Sequence, residues 1–159
     1  MAIKYDVEDL LADIQGLMAD NLNTKIAAVD ADKSSSLSLK TVNASAYFLQ
    51  TLNDKATNYD PFIIYGVDDV EADGRGPCTI ERIKMSVVLV LADNGQDINI
   101  AKRMFRYRRA LLEIFQDNWF LVNNSIKLRV APSIPVPLTQ INSDHRFQAV
   151  GLMIDADLA

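Results

Sequence analysis

One cysteine and one histidine are all that this chain of 159 residues contains of those two types. With Cys78 alone, a disulfide within the chain is impossible and nothing points to an oxidising compartment, so a reduced cytoplasm is the expected setting. A zinc site built from several histidines or cysteines is excluded for the same reason. His145 stands in INSDHRF between turn residues and a strand, beside Asp144 but without a serine or cysteine nucleophile motif. Cys78 follows Gly76 and Pro77 at a strand start, the place of a small buried or half-buried thiol. Long apolar runs are also missing. The N-terminal segment MAIKYDVEDLLADIQGLM interrupts its hydrophobic residues with Asp and Glu, so neither a signal peptide nor a membrane span is expected.

What the chain does contain is ordinary for a globular protein: 49% hydrophobic and 23% charged residues, in a length that fits one domain over residues 1–159. The net charge of -5 is placed unevenly. Residues 1–32 hold two lysines against seven acids, whereas the remainder holds fourteen bases against fourteen acids. An acidic start and a later basic segment form a complementary pair that can attract one another between neighbouring copies. A plainly solvated helix face accounts for the same charges.

In residues 6–21, Val7, Leu10, Leu11, Ile14, Leu17 and Met18 recur at helical spacing, with acids placed early to suit the helix dipole. Residues 25–30 alternate weakly, as a short strand would, and DKSSSLS after them has loop composition. AYFLQTL fits either a strand or one helical turn. After Pro61 a β-branched and aromatic run predicts a strand in which Gly66 marks a bulge, and the segment 71–77 predicts a turn between antiparallel strands. Residues 79–92 give the strongest strand signal. Ile83, Met85, Val87, Leu89 and Leu91 fall on one face, while Lys84, Ser86, Val88 and Val90 fall on the other. The second face turns apolar along its length, as if covered by the helix that follows. SIKLRV alternates again and leads into a segment whose Pro132, Pro135 and Pro137 confine it to an edge or arm. RFQAVGLMI closes the chain as a strand. The order predicts an α+β fold with an antiparallel or mixed sheet and two main helices on one face.

Residues 97–119 (DINIAKRMFRYRRALLEIFQDNW) read as one helix with Asp97 as its N-cap. Ala101, Met104, Phe105, Leu111, Leu112 and Phe115 mark its packing side, and Lys102, Arg106 and Arg109 share the next face. Arg108 projects near the middle of the apolar stripe, where it must snorkel, pair with a carboxylate or meet another subunit. Five bases in this helix make phosphate contacts chemically available, yet Asp97, Glu113 and Asp117 reduce the surplus to two in a protein that is acidic overall. Asp68, Asp69, Glu71 and Asp73 gather at the hairpin without the twelve-residue spacing of a calcium loop, and Gly74-Arg75-Gly76 is too short for a phosphate loop. No metal, cofactor or paired acid and base is expected, and hence no enzyme.

An N-terminal amphipathic helix, a hairpin with a long loop, an Arg-rich helix after the longest strand and a closing HRFQAVGLMIDADL resemble, over nearly the whole chain, the tail terminator proteins of long-tailed bacteriophages. The resemblance rests on element order, size and charge placement. It implies a small subunit that assembles into a ring, commonly of six copies, at the head-proximal end of the tail tube. Such a ring stops tube growth and provides the surface that joins the head. The partners implied are other copies of the chain, the tail tube protein and the head-tail connector protein, with DNA passing through the ring and no membrane involved. The location implied is the virion tail or neck, assembled in the host bacterial cytoplasm. On this reading Lys102, Arg103, Arg106 and Arg109 contact a subunit or the tube, while Asp68, Asp69, Glu71, Asp73 and Arg75 form a loop that docks or faces the DNA channel. Another head-side connector or minor tail protein, and a small α/β ligand-binding domain or enzyme, are the alternatives.

Overall fold

Asp6 starts the first helix of the computed structural model. Its Oδ1 accepts from the amides of Glu8 and Asp9 at 2.9 and 3.1 Å, and the Asp9 carboxylate accepts from the Asp6 amide at 3.0 Å. This reciprocal cap satisfies amides that the helix itself leaves open. Helix α1 then runs Val7–Lys33, much further than its first turns alone indicate. The expected strand at 25–30 is absent because Ile26 and Val29 extend the buried line of Leu10, Ile14, Met18 and Leu22 at steps of four and three. Continuous burial along one helical stripe outweighs the weak β preference of a short run. The structure describes residues 5–33, 37–49, 56–73, 80–93, 98–121, 126–130, 140–142 and 145–158.

The strands are β1 (Tyr47–Leu49), β2 (Phe62–Asp73), β3 (Ile80–Asp93), β4 (Phe120–Leu121), β5 (Ile126–Val130), β6 (Gln140–Asn142) and β7 (His145–Leu158). Helix α2 spans Ile100–Asp117. The sheet order is β1-β2-β3-β7-β5-β4, with β6 paired to one end of β7. Among the described residues only β1 runs parallel to its neighbour, which makes the sheet mixed and settles residues 47–49 as strand. The fold is therefore α+β, with both helices on one face of the sheet.

Register defines the two faces. Pairs Ile83/Ala156, Met85/Ile154, Val87/Leu152 and Leu89/Val150 all point to the helical side, where they are buried. Helix α2 packs here through Met104, Tyr107, Ala110, Leu111, Ile114 and Phe115. It thus covers the first face of β3, not the second as its position in sequence suggests. The apolar end of the second face is closed by aromatic rings instead: Phe62 meets Phe48 and Phe147 edge-on at 6.1 Å each, and Phe48 meets Tyr59 at 5.9 Å. Edge-to-face contacts of this kind stabilise beyond their buried area, by about 0.5–1.5 kcal/mol per pair.

The bulge in β2 falls at Asp68, between Val67 and Asp69, not at Gly66, which pairs regularly with Ser86. One extra residue there keeps Val67 and Val70 in register with the core-facing Met85 and Ile83, while Asp68 and Asp69 both meet second-face residues. Helix α2 also begins later than expected, with Asn99 at the N-cap; Asp97, Arg75 and Cys78 lie outside the described residues.

Candidate assembly surfaces

The extended stretch 37–42 belongs to no strand, yet side chains of both helices satisfy its backbone. From α1, Asp30 Oδ2 accepts from the Leu39 amide at 2.7 Å, and Asn23 both donates to the Val42 carbonyl at 2.9 Å and accepts from its amide at 2.8 Å. From α2, Arg106 donates to the Leu37 carbonyl at 2.9 Å, and Arg103 donates to that of Ser38. The Tyr107 hydroxyl accepts from the Lys40 amide and donates to the Lys40 carbonyl. Leu37, Leu39 and Val42 are meanwhile buried. Polar satisfaction and apolar burial thus fix one segment across both helices.

This arrangement assigns most of the basic helix face to the chain itself. Arg106 also lies 3.6 Å from Asp30, and Arg109 bonds Asp32 at 2.6 Å and Glu113 at 2.9 Å. Lys25 on α1 pairs with Asp117 on α2. The acidic N-terminal segment and the basic helix, read from the sequence as complementary between copies, meet within one chain. Of the four bases singled out, Arg103, Arg106 and Arg109 are engaged internally, and Lys102 is exposed. Ala101 and Phe105, expected on the packing side, are exposed, whereas Tyr107 is buried. The true packing arc is rotated toward Tyr107, because its ring reaches both the core and the 37–42 backbone. Burial pushes the Tyr107 hydroxyl well above the ordinary tyrosine range, so it stays protonated and able to donate.

On the second face of the sheet, charges line up across four strands. Glu71 on β2 pairs in register with Arg82 on β3, which pairs with Asp157 on β7, which pairs with Lys127 on β5. A second row holds Asp69, Lys84, Asp155 and Arg129 in the same strand order. Both rows read acid, base, acid, base. Contacts within and between the rows tie them together: Lys84 meets Glu71 on the diagonal and lies 3.9 Å from Asp69 opposite it; Asp157 takes Arg82, opposite it, at 3.2 Å and Arg129 on the diagonal at 2.8 Å. The Lys84 hydrogen bond holds the Glu71 carboxyl below its ordinary range. Asp68 accepts from Ser86 Oγ at 3.1 Å.

Asp68, Asp69 and Glu71 are therefore strand residues with partners, not members of a free hairpin tip, and Asp73 ends the same strand. The sequence reading missed Asp155, Asp157, Arg82, Lys127 and Arg129. Each strand carries its pair two residues apart, the spacing of one strand face, so the signal was present strand by strand.

A polar cleft of about 240 Å³ opens between Lys40, Asp60, Leu91, Ala92, Ile100, Arg103 and Tyr107. Its polar groups answer one another: Lys40 Nζ meets Asp60 at 2.5 Å, and the Ala92 amide donates to the same carboxylate at 3.0 Å. Among the described residues no group of three or more His, Cys, Asp and Glu side chains is arranged to hold a metal ion. No described helix is long and apolar enough to cross a membrane.

No protein-family model matches the chain. No curated protein matches it either. A solved structure whose name describes no activity is similar over 91% of this chain and 96% of its own, at 13% sequence identity and a TM-score of 0.39.

Proposed function

We propose that the protein is a structural assembly subunit of the tail-terminator type, forming a ring, commonly of six copies, at the head-proximal end of a phage tail tube. The observation that carries this reading is the pair of charge rows. Each ends in a carboxylate at the β2 side and in a cation at the β5 side. A neighbour placed side by side continues the alternation, acid against base. A closed ring requires a heterologous contact, in which one patch meets a different one; the acidic and basic ends of the rows supply such a pair on the face of the sheet, the basic end lying one strand in from the β4 edge.

Support also comes from the arrangement that prompted the resemblance: an N-terminal helix, a long hairpin, an Arg-rich helix and a 14-residue closing strand fold into one layered unit. On this reading the protein acts by assembly and not by catalysis. The tail tube protein and the head-tail connector protein are its partners, DNA passes through the ring, and its place is the virion neck after assembly in the bacterial cytoplasm. The exposed Lys102 is the base of the original four best placed for contact outside the chain.

Negative-stain imaging with a solution mass, in the presence and absence of tail tubes, tests the reading. A ring of about six copies supports it. A monomer under both conditions removes it, and binding to a portal complex but not to tubes moves the assignment to a head-side connector. Glu71→Lys and Lys127→Glu, at the two ends of one row, are each expected to block ring formation, and the double reversal to restore it.

A further inference from the structure

We draw no further inference here: the strongest candidate, the apolar cleft between the first turns of α2 and β7 that Ile100, Met104 and Phe105 line, carries nothing, because nothing in the structure shows what covers it.

Discussion

A single hydroxyl, that of Tyr107, serves both backbone groups of Lys40: it accepts from the amide and donates to the carbonyl, each at 2.8 Å. Through it the core of α2 is tied to a stretch of chain that no strand supports. The Arg-rich helix therefore holds the fold as much by polar reach as by its apolar face.

Tyr107→Phe keeps the ring in the core and deletes both bonds. The Lys40 amide and carbonyl then lose their protein partner in a part-buried place, which costs about 1–3 kcal/mol. Urea unfolding is expected to show a lower midpoint with an unchanged slope.

Asn23→Ala removes the two hydrogen bonds to Val42 from the α1 side. The expected loss is similar, about 1–2 kcal/mol. Because both residues grip the same stretch, the double variant with Tyr107→Phe is expected to cost less than the sum of the two, a coupling that a double-mutant cycle measures.

Gly16 lies inside α1, and a Cβ built on it meets nothing within 4 Å. Gly16→Ala is expected to raise stability by about 0.5–1 kcal/mol by reducing the freedom of the unfolded chain. Gly151 is the opposite case. A Cβ there comes 3.2 Å from Val88 Cγ2 and 3.3 Å from the Val87 carbonyl oxygen. Since the second contact is backbone within a paired strand, Gly151→Ala is expected to lower stability by about 1–2 kcal/mol. Thermal denaturation of the two variants checks both signs.

Hydrogen bonds from Arg109 and Lys84 hold Asp32 and Glu71 below their ordinary values of 3.8 and 4.5. Depressed native pKa values stabilise the fold above the unfolded values, and that contribution is lost as pH falls through the native ones. Stability is therefore expected to decline below about pH 4, less so in Asp32→Asn. At the other extreme, burial pushes Tyr47 up to about 12 from 10.0. Its neutral form is favoured in the fold, so stability is full below pH 10.0 and falls between there and about 12. Urea midpoints across pH, with tyrosinate absorbance at the alkaline end, check both windows.

Asp157→Lys places a cation where Arg82 and Arg129 converge. Cross-strand charge pairs contribute about 0.2–1 kcal/mol each, so the expected destabilisation is about 1 kcal/mol at low salt and smaller at high salt. A chemical denaturation series at two ionic strengths measures it.

Much of the fold was legible in the residues. The stripe beginning at Leu10 and Ile14, the alternation from Ile83 to Leu91 and the amphipathic pattern around Met104 and Leu111 each announced their element. The end of α1 was not legible, because 25–30 satisfies a weak two-residue pattern and the helical one together, and only packing of Ile26 and Val29 chooses. The outward set of α2 was half legible. Lys102 faces solvent as its charge predicts, but Phe105 is exposed although its spacing predicts core, since an aromatic at helical spacing carries no mark of which side the sheet will occupy.

Local periodicity, a property of neighbouring residues, determined by itself that this chain makes an α+β layer with two main helices. Pairing was beyond it. Residues 69–71, 82–84, 127–129 and 155–157 each carry two charges on one strand face, and only the tertiary structure placed them beside one another in alternating rows, because strand order and register are settled by long-range burial of the opposite face. The same long-range packing turned Arg103, Arg106 and Arg109 inward to the chain's own 30–38 region and left Phe105 and Trp119 facing out.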